Sequence, residues 1–290
     1  MNNDIGPTSH SYVSQRLRLH YLDWGNPDAP MLILVHGGQD HARSWDRVAR
    51  KLRNDWHVIA PDLRGHGDSA WSPDGAYFMA YHVYDLAQLI HQLDDREVSI
   101  VGHSFGGAIS LRYAGLYPEK VRRLVAIEGL GMSPKSVIER ERKPVLDRWR
   151  DWIEERRGLA ARQPRRYATI EEALARMCAE NTHLTPEQAR HLTIHGVSRN
   201  EDGSYSWKFD NYVRSVTPFD SEDRDLQTIW AAITCPVMLT WGRDSWASNP
   251  AEDGRAAYFR DARVVAFDNA GHWLHHDQFD AFMTAIRAFL

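Results

Sequence analysis

The sequence predicts an α/β fold, a mostly parallel sheet with helices on both faces, and three observations point to it. Short apolar runs bounded by Gly, Pro or Asp recur along the chain, segments with helical apolar spacing lie between them, and one long central stretch has helical periodicity without a strand pattern. Taken in order, residues 16–24 alternate apolar and polar side chains and meet Gly25-Asn26-Pro27, which reads as a strand pair ending in a turn. The runs 31–36, 57–61, 98–102, 124–127, 237–241 and 264–267 are apolar throughout, as strands covered on both faces are. Between them Val83, Leu86, Ala87, Ile90 and Leu93 keep helical spacing, as do Ala108, Leu111, Gly115 and Leu116 before the stop at Pro118. From Ser133 to about Asp220 the strand signal vanishes, and three helical segments, 145–163, 170–181 and 185–197, form an insertion between strands. The turn Glu201-Asp202-Gly203-Ser204 closes it ahead of Trp207.

Composition narrows the function classes. With 290 residues, 43% apolar and 26% charged, the chain has the makeup of an enzyme-sized globular protein, and at this length it buries roughly 75% of its unfolded surface. A net charge of −4 argues against a partner such as nucleic acid or an anionic membrane and favours a small-molecule ligand. Cys178 and Cys235 have no CxxC or zinc-type spacing, so neither a disulfide framework nor a structural metal is expected. The first 25 residues lack a basic cap followed by an apolar run, and the apolar run 31–35 is too short to span a bilayer, so a cytoplasmic location is expected. Residues 133–170 hold 11 Lys/Arg against 6 Asp/Glu, a pattern that fits a solvated helix face or a basic lid.

The sharpest chemical signal is Gly102-His103-Ser104-Phe105-Gly106-Gly107, a G-x-S-x-G pattern that follows a strand and opens a helix. Its glycines suit a sharp turn that holds the Ser104 hydroxyl over the sheet edge, with a helix N-terminus beneath to favour developing negative charge. A serine hydroxyl is a weak nucleophile near neutral pH, so a base must take its proton and a third group must orient that base. Of 15 histidines, His272 in Asn269-Ala270-Gly271-His272-Trp273 directly follows a late strand and precedes the final helix, which makes it the candidate base. Oxyanion donors are the next requirement. His36-Gly37-Gly38-Gln39 follows a strand and suits the role, offering the Gly38 N–H beside the N–H of Phe105.

In this order LVHGGQDHARSWD, VIAPDLRGHGDS, IVGHSFGG, LTWGRDS and DNAGHW resemble an α/β-hydrolase. The resemblance implies an eight-stranded, mostly parallel sheet, a core of residues 1–132 and 221–290, and a helical cap, 133–220, inserted after strand six. It lies nearest the esterase, lactonase and carbon-carbon hydrolase relatives. The loops are also similar to those of epoxide hydrolases, but these and haloalkane dehalogenases attack with an aspartate where this chain has Ser104. The family usually places its acid three residues beyond a glycine after strand seven; that position is Ser245, with Asp244 one residue early. Glu128 ends strand six, 24 residues after Ser104, where pancreatic-type lipases and zearalenone-type lactonases resemble this chain. Because a carboxylate at the end of an apolar strand is costly to bury without a partner such as an imidazolium, Glu128 is the expected acid and Asp244 the alternative.

The loop Arg64-Gly65-His66-Gly67-Asp68-Ser69 is usually structural in the family. His36, His41, His275 and His276 match no known metal spacing, and the family needs neither metal nor cofactor. Candidate substrate-binding side chains are His103, Trp207 and Trp273, while Trp149 and Trp152 fit core packing as well as a pocket lining. The reading that results is a cofactor-free serine hydrolase of small to medium, fairly apolar carboxylic esters. Lactone or carbon-carbon bond hydrolysis by the same residues is the alternative, and a non-turnover small-molecule receptor is the competing class.

Overall fold

A computed structural model describes residues 6–215, 217–218 and 223–290. Eight strands form one sheet: β1 (Thr8–Ser14), β2 (Leu17–Asp23), β3 (Met31–Val35), β4 (His57–Pro61), β5 (Val98–His103), β6 (Val121–Ile127), β9 (Val237–Gly242) and β10 (Ala262–Phe267). Their order is β1-β2-β4-β3-β5-β6-β9-β10; β2 pairs antiparallel with β1 and β4, and every other pairing is parallel. All residues of β3, β4 and β5 are buried, as continuous apolar runs between two helical layers must be.

Two apolar clusters flank the sheet. One joins Ile33, Ile59, Ile100 and Leu124 to α2 (Met79–Gln92) and α3 (Phe105–Leu116); the other joins Leu32, Leu34, Val101 and Val125 to α1 (Asp46–Leu52) and α10 (Phe279–Phe289), which follows the short α9 (Leu274–Asp277). The Arg64 loop is structural. Arg64 is buried and donates from Nε and one Nη to both oxygens of Asp85 at 2.6 and 2.7 Å, and Ser14 donates to the same carboxylate at 2.5 Å.

The insertion supplies α4 (Pro134–Arg142), α5 (Val145–Ala160), α6 (Ile170–Glu180) and α7 (Pro186–Gly196), and α8 (Asp223–Ala232) leads back to the sheet. Its polar contacts with the core are numerous: Arg156 donates to the carbonyls of Asp74 and Gly75, Gln188 to that of His276, His41 to that of Leu192, and Tyr77 to Asp210. Among the described residues no helix is long and apolar enough to cross a membrane.

Two sequence expectations need correction. The first strand pair begins eight residues earlier than residue 16, because β1 carries mostly polar, solvent-exposed side chains that leave no apolar alternation to read. Its turn falls at Gln15 and Arg16, both at positive φ, the backbone a tight hairpin needs. Second, the insertion is not wholly helical: β7 (Val197–Arg199) and β8 (Tyr205–Trp207) form a hairpin around Glu201-Asp202-Gly203-Ser204, too short for periodicity to register. The boundary expected at 220/221 and the first five residues of the leader reading lie outside the described residues.

Candidate active site

The site collects where β5, β6, β9 and β10 end at one edge of the sheet. Ser104 stands between β5 and α3 at φ 50°, ψ −117°, a strained conformation for a residue with a side chain. The turn is forced by close approach: a Cβ at Gly106 would lie 2.3 Å from the His36 carbonyl oxygen, and one at Gly102 2.7 Å from that of Gly106. The Ser104 N–H donates to the Ile127 carbonyl at 2.7 Å, tying the serine's backbone to the next strand.

Glu128 follows directly on β6, also at positive φ, and its side chain has no exposure. Three donors converge on it. His272 Nδ1–H meets Oε2 at 2.5 Å, Ser245 Oγ–H donates to the same oxygen at 2.7 Å, and the Gly242 N–H reaches Oε1 at 2.9 Å. A carboxylate removed from water needs this much satisfaction. Asp244, the alternative acid, is exposed beside the cavity, its backbone N–H held by the Ala270 carbonyl. The structure therefore brings Glu128, not Asp244, to the imidazole. The residue at the family's usual acid position takes part as a donor to that carboxylate, a role the sequence did not suggest although the odd residue at Ser245 was visible.

Gly38 lies beside the first residue of α3, since a Cβ there would sit 4.0 Å from that of Phe105. His36 fastens this loop, donating from Nδ1 to the Gly37 carbonyl at 2.7 Å and accepting the Leu63 N–H on Nε2 at 3.0 Å. Burial pushes its pKa down to about 3, so it stays neutral and keeps the tautomer both bonds require.

His103 corrects a further expectation. It is 1% exposed and faces inward, its Nε2–H donating to the His272 carbonyl at 2.9 Å and its ring lying 4.7 Å from that of His275. Burial, followed by the charge of nearby His272, holds its pKa well below the usual imidazole range. It buttresses the His272 loop instead of meeting a ligand. Trp207 and Trp273 do line the cavity, and the Trp207 Nε1–H is held by the Tyr167 hydroxyl at 3.1 Å. Trp149 and Trp152 pack edge to face on α5, 6.1 Å apart. Sequence reasoning missed Trp246, 75% exposed with its ring 4.7 Å from His272. Nothing in its sequence neighbourhood marks it.

The cavity has a volume of about 900 Å³ and opens onto His272, Gly38 and Trp246. The insertion gives it Arg162, Arg165, Arg176 and Arg214. The aromatic count of this segment suggested an apolar pocket; its long guanidinium side chains, unremarkable in a charge-rich stretch, add positive charge to a wall that also holds Tyr167, Trp207 and Phe209.

Residues 30–279 match the model of the alpha/beta hydrolase fold family. The chain belongs to the alpha/beta hydrolase family. Among curated relatives, an esterase of Mycobacterium tuberculosis is 28% identical over 98% of this chain and 90% of its own length. The 3-hydroxybutyrate-oligomer hydrolase of Cupriavidus necator is 34% identical over 79% of this chain and 77% of its own. Among solved structures, that mycobacterial esterase superposes with a TM-score of 0.77 at 26% identity, covering 99% of this chain and 93% of its own. E-2-(acetamidomethylene)succinate hydrolase superposes with a TM-score of 0.80 at 22% identity, covering 98% of each chain. As an alpha/beta hydrolase with esterase relatives, the protein is a hydrolase.

Proposed function

We propose that this hydrolase cleaves carboxylic esters through an acyl-enzyme on Ser104. The observation that carries the reading is the 2.5 Å contact between His272 Nδ1 and Glu128 Oε2 on a carboxylate with no solvent exposure. With Nδ1–H committed to Glu128, the tautomer leaves Nε2 with a lone pair to take a proton, which is what a serine at a strained strand-helix turn requires.

His272 Nε2 accepts the Ser104 Oγ proton as Oγ bonds to the ester carbonyl carbon, and the carbonyl π pair moves to its oxygen. The N–H groups of Gly38 and Phe105 receive that oxyanion, a stabilisation worth several kcal/mol. Glu128 holds the imidazolium. As the intermediate collapses, the carbon-oxygen bond to the alcohol breaks and His272 returns its proton to the departing oxygen. Water then attacks the acyl-Ser104 with His272 again as base, giving the acid and restoring the serine. The segment 133–220 acts as a cap that supplies the substrate wall. Two relatives are named for hydrolysis of ester-type substrates, which supports ester over other acyl chemistry.

A fluorophosphonate probe followed by peptide mapping tests the reading. Labelling confined to Ser104, absent in Ser104→Ala and accompanied by steady turnover of aryl esters, is the expected result. A folded protein that resists the probe and shows only a ligand-dependent shift in melting temperature would instead be a receptor built on the same fold.

A further inference from the structure

The charges around the cavity are sorted by side. The wall contributed by the insertion carries Arg162, Arg165, Arg176 and Arg214 against one carboxylate, Glu180, whereas Asp244 and Asp277 come from the core side, as does His272. Arg176 is paired with Glu180 at 2.7 Å. Among the described residues no carboxylate pairs with Arg162, Arg165 or Arg214.

Among the described residues, two of these guanidinium groups are positioned without spending their hydrogen-bond donors. The Arg165 guanidinium carbon lies 5.4 Å from the ring centre of Tyr167, and that of Arg214 lies 5.3 Å from the ring centre of Phe209. Both rings line the same cavity. Stacking on an aromatic face restrains a guanidinium while leaving its planar fork of N–H groups open to a carboxylate, which it matches in shape. On the opposite side Asp244 repels a second negative charge, so an asymmetric, singly anionic molecule has one favourable orientation.

We infer that the cavity selects esters bearing a carboxylate remote from the scissile carbonyl, with the carboxylate toward Arg165 and Arg214 and the ester toward Ser104. The inference rests on the serine-hydrolase reading and adds the substrate class to it. It also replaces the expectation of fairly apolar esters, because a neutral acyl chain offers these guanidinium groups no acceptor.

The test compares 4-nitrophenyl hydrogen glutarate with 4-nitrophenyl pentanoate, which present the same leaving group with and without a terminal carboxylate. At low salt the ratio of their kcat/KM values should favour the anionic ester about tenfold, shrink as salt is raised, and fall toward unity in Arg165→Gln/Arg214→Gln. Arg190→Gln, whose native side chain pairs with Glu171 outside the cavity, should keep the wild-type ratio. Equal kcat/KM values in the wild type, or a preference that survives the double substitution, would overturn the inference. Binding to Ser104→Ala separates it from the hydrolase reading. Tighter binding of the glutarate than the pentanoate there, lost with Arg165 and Arg214, upholds the anion site even if the wild type turns over neither ester, an outcome that would count against the serine hydrolase alone. Equal binding would sink the anion site whatever the turnover.

Discussion

At the strand ends that carry Ser104 and Glu128, the floor of the site, these polar groups are fixed by tight backbone contacts, whereas the cavity wall from the insertion is built of long side chains facing water. Glu128 has three donors and no exposure, and Ser104 is wedged by glycines that tolerate no Cβ. Arg162, Arg165, Arg176 and Arg214 are all exposed. The difference follows from what each part does. Bond making needs reacting groups fixed to a fraction of an ångström, so the floor is over-determined. Recognition of a charged group tolerates adjustment, so the wall is assembled from reach and charge.

The comparison breaks first at Glu128. If the floor alone sets the chemistry, Glu128→Gln lowers kcat/KM on an activated ester by about 10³-fold or more, while Asp244→Asn changes it by less than about threefold. A reversed pattern in acyl-enzyme burst kinetics would hand the role to Asp244.

Acid should damage the floor before the wall. His36, His66 and His276 are fully buried, and burial brings their pKa values down to about 3, 4 and 3. The unfolded chain binds protons near pH 6.5 that the folded chain refuses down to about pH 4. These groups therefore contribute their full stability above pH 6.5 and lose it as pH falls through that window. Calorimetry should find the melting temperature about 10 °C lower at pH 5 than at pH 7.5, with a shallower dependence in His276→Gln; a flat profile would refute it.

Ser245→Ala sharpens the comparison within the floor, since it removes one of the two donors to Glu128 Oε2 and leaves His272 in place. About a tenfold loss in kcat with little change in KM is expected, and no loss would mean that the Gly242 N–H and His272 suffice to hold the carboxylate. The smallest effect belongs to the junction between insertion and core. Arg156→Ala deletes two hydrogen bonds to the carbonyls of Asp74 and Gly75 and should cost about 1 kcal/mol, lowering the melting temperature by about 2–4 °C with kcat intact.

The same contrast explains what the sequence disclosed. Glu128 was legible because a carboxylate ending an apolar strand demands a partner, and Ser104 because its glycines are sterically compulsory. The parallel strands were legible because burial on both faces leaves an unbroken apolar run. The exposed strand β1 and the three-residue strands of the hairpin carry no such constraint and left no trace. His103 resembled a ligand contact by adjacency to Ser104, yet adjacency along a strand alternates faces and turned its ring inward. The arginines of the wall were visible as charges, but which way a helical insertion points them depends on packing that no local pattern records.

One chain of bonds crosses the sheet edge: Ser104 N–H to the Ile127 carbonyl, Glu128 N–H to the Thr240 carbonyl, and Gly242 N–H to the Glu128 side chain, with Gly242 itself pressed against the carbonyls of Ala270 and Gly271. It works as a jig. Ser104, Glu128 and the His272 loop are each set against the neighbouring strand, so their spacing is inherited from the pitch of the sheet, and placement errors do not accumulate along the polypeptide. The wall stands outside that jig, and a lineage or a designer can exchange the insertion for another, changing which molecules are admitted without having to rediscover how they are cut.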